Sequence, residues 1–138
     1  MNKLVIHTDG VSRGNPGQAA IGATLKDERG QLITSISRRI GWATNNQAEY
    51  KAIIAALEKA IDLGARQVEL NSDSELVVRQ INGRYRVKKE ALKPLYQRVK
   101  KLQNRLESFT VKHIPRRQNK EADRLANKAL KIFTDYFQ

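Results

Sequence analysis

The sequence predicts an α/β fold, a five-stranded mixed sheet with helices on both faces, in the order βββαβααβα. Three observations carry that reading. From Lys3 to Ile40 the chain alternates β-branched runs with turn residues. From Thr44 the apolar spacing becomes helical. Beyond Gly64, two short strand-like runs alternate with amphipathic segments, an order that places helices against a sheet.

Lys3 to Thr8 forms the first strand and ends at Asp9-Gly10, and the turn formers of Ser12 to Gly17 make a loop after it. Ala19 to Lys26 and Gln31 to Ile40 are the next two strands, joined through Asp27-Glu28-Arg29-Gly30, where Gly30 supplies the positive φ of a hairpin turn. The first helix starts at Thr44, which has capping-box spacing to Gln47. It sets Ala48, Ala52, Ala55 and Ala56 beside Tyr50, Ile53, Ile54, Leu57 and Ile61, and stops at Gly64. Gln67 to Asn71 is the fourth strand. Ser72 and Glu75 repeat the capping-box spacing ahead of a short helix ending near Asn82-Gly83. Pro94 fits the first turn of a helix whose Leu95, Val99, Leu102 and Leu106 share a face. Phe109 to Ile114 is the fifth strand, and Asn119 caps a last helix carrying Ala122, Leu125, Ala126 and Ala129. Length predicts a single domain over 1–138, with a core of 1–131 and a tail of 132–138 that either extends the last helix or docks.

Composition excludes several classes. With no cysteine there is no disulfide, thiolate zinc site or cysteine nucleophile. Hydrophobic residues at 40% and charged residues at 29% fit an ordinary folded domain rather than a disordered or membrane chain. The longest apolar stretches, such as Ala52 to Leu57, are far too short for a bilayer, and the amino terminus lacks a signal-peptide pattern. A cytoplasmic protein is expected. Against that background the charge stands out: 26 Lys and Arg face 14 Asp and Glu, a formal net charge of +12. Such a surface attracts polyanions, of which nucleic acid is the commonest.

In so basic a chain the few acids carry information. Asp9 ends the first strand, Glu49 lies near the start of the first helix, Asp73 sits where the fourth strand enters a helix, and Asp123 opens the last helix. If the first and fourth strands are adjacent and parallel, Asp9 and Asp73 share one sheet edge and the two helix starts converge over them. Like charges so placed repel, and a hard divalent cation such as Mg²⁺ or Mn²⁺ relieves the repulsion through oxygen ligands. Taken singly, each acid has a local explanation as a turn, cap or helix-dipole residue.

The motifs around these acids read Thr8-Asp9-Gly10, Gly14-Asn15-Pro16-Gly17, Thr44-Asn45-Asn46-Gln47-Ala48-Glu49-Tyr50, Ser72-Asp73-Ser74 and Asn119-Lys120-Glu121-Ala122-Asp123. In this order, over nearly its whole length, the chain resembles type 1 ribonuclease H. The resemblance implies an endonuclease that hydrolyses the RNA strand of an RNA/DNA hybrid with two divalent ions, leaving 5′-phosphate and 3′-hydroxyl ends. It implies Asp9 bridging the ions, Glu49 and Asp73 holding one each or their waters, and Asp123 completing the second site, with the ions about 3.5 to 4 Å apart. Asn15, Thr44, Asn45, Asn46 and Gln47 match positions that contact nucleic acid, Thr44 through a DNA-strand phosphate. These are also natural turn and cap residues.

One departure concerns a histidine that many members carry on the loop before the last acid. Here the loop reads Ile114-Pro115-Arg116-Arg117-Gln118, so Arg116 is the substitute, while His113 ends the fifth strand and His7 is structural. An arginine steadies a phosphate but is a poor general acid. Between Arg84 and Arg105 lie nine Lys or Arg and one acid, Glu90, as a secondary phosphate contact or a solvated helix face. Gly83 to Lys93 is shorter than the basic protrusion of some bacterial members. Trp42 and Tyr85 are read as packing aromatics rather than stacking platforms. A monomer with no protein partner is expected. The rivals are another nuclease of the superfamily, exonuclease or integrase-like, and a non-catalytic hybrid-binding module, which would lack one of the four acids.

Overall fold

The computed structural model describes residues 2–137, with side chains through Lys131. The strands are β1 (Lys3–Gly14), β2 (Gly17–Lys26), β3 (Leu32–Ala43), β4 (Gln67–Ser72) and β5 (Ser108–His113). The helices are α1 (Asn45–Asp62), α2 (Glu75–Ile81), α3 (Lys93–Gln103) and α4 (Lys120–Phe137), with a 3₁₀ turn at Arg116–Gln118. One sheet runs β3-β2-β1-β4-β5. The β1–β2 and β2–β3 pairs are antiparallel, and β1–β4 and β4–β5 are parallel, so the sheet is mixed as the element order predicts.

Alternation along β1 divides the faces. Leu4 and Ile6 are fully buried with Tyr50, Ile53 and Leu57 of α1, while Val11 packs with Ala129 and Leu130 of α4. The helices therefore cover opposite faces. Gly10 and Gly22 mark where each comes closest: a methyl on Gly10 would run into the backbone of Ala48 and Glu49, and one on Gly22 into the backbone of Ala122 and Ala126. No helix among the described residues is long and apolar enough to cross a membrane.

α1 starts as its spacing predicts. Thr44 Oγ1 accepts from Gln47 N at 3.1 Å and Gln47 Oε1 accepts from Thr44 N at 2.8 Å, a complete capping box. Thr44→Ala is expected to cost about 1 kcal/mol, read as a lower urea midpoint at unchanged slope.

Several expectations need correction. β1 does not end at Asp9: it continues to Gly14 as one arm of a hairpin, with Ser12 opposite Ala19, so the predicted loop from Ser12 to Gly17 shrinks to Asn15-Pro16. Cross-strand pairing here outweighs local turn preference. Ser74 rather than Ser72 caps α2, accepting from Val77 N, while Ser72 Oγ accepts from Ser74 N and Glu75 pairs with Arg79 at 2.9 Å. Leu106 lies beyond α3 yet still packs against the core. The backbone of residues 132–137 belongs to α4, and Gln138 lies outside the described residues.

Candidate active site

The parallel pairing of β1 with β4 sets the site. The last residues in register are Thr8 and Ser72, so the next on each strand, Asp9 and Asp73, emerge side by side at the carboxyl edge of the sheet. Glu49, on the first turns of α1, reaches down so that its Oε1 accepts the Gly10 N–H at 3.0 Å. That bond requires the close helix approach that Gly10 permits. The carboxylate oxygens of Asp9, Glu49 and Asp73 lie within 4.8 Å of one another. Asp123 shares their open cleft of about 720 Å³, together with Asn45, Arg116 and Asn127. Its orientation is fixed by Asn127, whose Nδ2 donates to Asp123 Oδ1 at 3.0 Å and to its carbonyl at 2.9 Å.

Electrostatics follow from this crowding. Burial, then the Glu49 charge, then a hydrogen bond with Asp123 push the Asp9 carboxyl up to about 9. Burial and Asp73 push Glu49 up to about 8, against the opposing pull of the Gly10 N–H and Arg116. Without a cation the cluster favours protons; a cation in their place lets the carboxylates ionise. The donors are all oxygen and the cleft is open to solvent, a set suited to a hard divalent ion that keeps waters. Both the cluster and its chemistry point to divalent metal.

The other predicted residues divide. Arg116 lies on the 3₁₀ turn, exposed, on the rim of the cleft. Asn45 lines the cleft, and its N–H donates to Asn15 Oδ1 at 3.0 Å, joining the β1–β2 turn to the start of α1. Thr44 and Gln47 form the capping box, which leaves the Gln47 Nε2 amide donors outside those two bonds; Asn46 is half-buried beside them. His113 ends β5 and is exposed, and His7 is half-buried with its Nδ1 lacking a partner among the described residues.

The packing reading of the aromatics fails. Trp42 is 68% exposed at the end of edge strand β3, and Tyr85 is 45% exposed under the Arg79 guanidinium, 5.2 Å from the ring centre. Within the basic segment Lys93 pairs with Glu90, Arg98 with Glu58, and Lys100 donates to the Ile81 carbonyl, while Arg84, Arg86, Lys88 and Lys89 are exposed. Asn119 is also misread from sequence. Its side chain does not cap α4: Nδ2 donates to the Thr8 carbonyl at 2.8 Å and to Asp73 Oδ2 at 3.2 Å. Asn127 carried no sequence signal beyond its spacing of four from Asp123.

Comparison with known proteins identifies the family and agrees with the fold. A family described as reverse transcriptase-like matches residues 7–129. The ribonuclease HI of Halobacterium salinarum is 44% identical over 122 residues, 88% of this chain and 61% of that protein. The crystal structure of RNase H1 from the same archaeon superposes with a TM-score of 0.92 at 42% identity, covering 94% of this chain and 98% of that one. LC11-RNase H1, solved in complex with RNA/DNA hybrid, gives a TM-score of 0.91 at 40% identity, covering 95% and 99%. The chain belongs to the reverse transcriptase-like family, and within it to the type 1 ribonuclease H group. It spans 61% of the length of the Halobacterium ribonuclease HI.

Proposed function

We propose that the protein is an endonuclease that hydrolyses the RNA strand of RNA/DNA hybrids, leaving 5′-phosphate and 3′-hydroxyl ends. The observation that carries this is the convergence of Asp9, Glu49 and Asp73 within 4.8 Å on a chain of net charge +12. Phosphodiester chemistry needs cations at the reacting phosphate, and a carboxylate cluster in a basic protein collects both.

Asp9, Glu49, Asp73 and Asp123 are the ligands in this reading, with Asp9 central because it interacts with the other three. These four carboxylates would hold two Mg²⁺ or Mn²⁺ ions, which would supply Lewis-acid activation of a water and neutralise charge at the leaving oxygen. Arg116, on the cleft rim, steadies the scissile phosphate through its guanidinium fork. Asn15, Asn45, Asn46 and Gln47 present amides that both donate and accept, as contact with a 2′-hydroxyl requires, and Thr44 holds a DNA phosphate. All these residues come from one chain, consistent with a monomer. A cysteine-free nucleic-acid enzyme suits the cytoplasm.

The test is labelled RNA/DNA hybrid, double-stranded RNA, single-stranded RNA and duplex DNA, each incubated with Mg²⁺ or Mn²⁺. Cutting of the RNA strand of the hybrid alone is expected. Hybrid left intact with both metals sinks the enzyme reading, and equal cutting of duplex DNA sinks the specificity. Hybrid affinity is expected to fall about 10³-fold or more between 50 and 200 mM salt; a flat response counts against phosphate contact by the basic segment.

A further inference from the structure

We propose that Asn119 is a positioning residue that holds three of the four carboxylate-bearing segments in register for metal. It rests on the ligand assignment above. Asn119 is 1% exposed at the junction of the 3₁₀ turn and α4. Its Nδ2 hydrogens go to two acceptors, the carbonyl of Thr8, which immediately precedes Asp9, and Oδ2 of Asp73. Its own carbonyl accepts the Asp123 N–H at 3.1 Å. One residue therefore touches β1 beside Asp9, the carboxylate at the end of β4, and the first turn of α4.

The chemistry of the amide fits this task. Asp73 is crowded by Glu49 and Asp9, and a neutral donor fixes its rotamer without a cation that would compete with metal. Using both hydrogens outward leaves Asn119 Oδ1 buried with no partner among the described residues. An unpaired buried acceptor lowers stability, and an apolar side chain of similar size would avoid it. Stability alone does not account for asparagine here; two directed donors do. Asn119 reaches none of the cleft-lining surface, so it acts through Asp73 and the strands rather than on substrate.

The experiment uses the full chain with Asn119→Ala and with Asn119→Leu, which keeps the branched skeleton without donors and leaves no cavity if the alanine protein folds poorly. Mn²⁺ binding is measured by calorimetry without nucleic acid, and kcat and KM on the hybrid are measured across metal concentration. Metal affinity is expected to weaken by about 10- to 100-fold, with kcat falling at subsaturating metal and KM for hybrid within about twofold of the parent. A lower unfolding temperature with unchanged Mn²⁺ affinity in a folded variant overturns the proposal and leaves Asn119 a packing residue. Calorimetry separates this from the functional reading: if the parent binds Mn²⁺ but cuts no hybrid, the substrate assignment fails while the effect of Asn119 on metal affinity stands.

Discussion

An Asp9→Asn protein is expected to lose hybrid cleavage on the order of 10³-fold or more, yet to unfold at a higher temperature than the parent when metal is absent. The two effects share one cause. Asp9 is 5% exposed and lies against Glu49, Asp73 and Asp123, so its ionised form is opposed by burial and by like charge. In the enzyme the ion offsets that penalty, and losing several kcal/mol of metal-held charge stabilisation is worth about three orders of magnitude in rate. In the metal-free protein the penalty remains, and asparagine, a neutral isostere of the protonated acid, relieves it.

The sign with pH follows from linkage. The Asp9 carboxyl rises from 3.8 to about 9 on folding, so the folded state keeps a proton that the unfolded chain releases. The stabilising preference for the neutral acid is complete below the lower value and is lost as pH rises through the upper one. Metal-free parent therefore loses stability relative to Asp9→Asn across that window, and the difference levels off above it. Each tenfold change in proton affinity carried by the fold is about 1.4 kcal/mol, or roughly 4–6 °C in midpoint for a chain of this length. Scanning calorimetry in chelator at several pH values reads the difference directly. A gap that does not widen with pH refutes the electrostatic account; Mg²⁺ or Mn²⁺ should narrow it by stabilising the parent alone.

The acids were legible although β1 runs on past Asp9 to Gly14, because the parallel β1–β4 pairing needed only the strand order to bring Asp9 and Asp73 together, and Glu49 and Asp123 fall in the first turns of helices laid over that edge. The Thr44–Gln47 box was legible because capping is local. What escaped was decided by partners distant in sequence. Ser12 to Gly14 has turn composition but pairs with Gly17 to Ala19 across a hairpin. Asn119 stands where a cap belongs, and only the fold reveals that a carbonyl and a carboxylate each take one hydrogen of its amide. Trp42 is apolar enough for a core, but it falls on edge strand β3 where no layer covers it. Gly10 read as a strand end because glycine weakens a strand; its reason, the nearness of α1, is tertiary.

The matching nearness of α4 to Gly22 makes Gly22→Ala the second large effect. Gly22 faces Asp9 across the β1–β2 pair, and an added methyl would strike the Ala122 carbonyl, sit 2.5 Å from Ala126 N and 3.0 Å from the Leu125 Cβ. Two of those atoms belong to helix backbone and cannot rotate aside. At ordinary carbon contact of about 3.5 Å α4 must retreat by roughly 1 Å, carrying Asp123 away from Asp9. Overpacking of this kind costs about 1–3 kcal/mol, and a displacement of that size at a reacting centre is worth on the order of 100-fold in rate. Gly10→Ala acts from the other face, driving α1 off β1 and stretching the Glu49 bond to the Gly10 N–H. The control is Gly64→Ala, at φ +86 with nothing within 4 Å of the added carbon, which strains the backbone but pushes neither helix away from the site. Below its unfolding temperature it should cut hybrid at the parent rate while Gly22→Ala and Gly10→Ala do not. If Gly22→Ala retains parent turnover, α4 does not hold Asp123 in place through its contact with Gly22, and the assignment of Asp123 as a ligand loses its geometric basis.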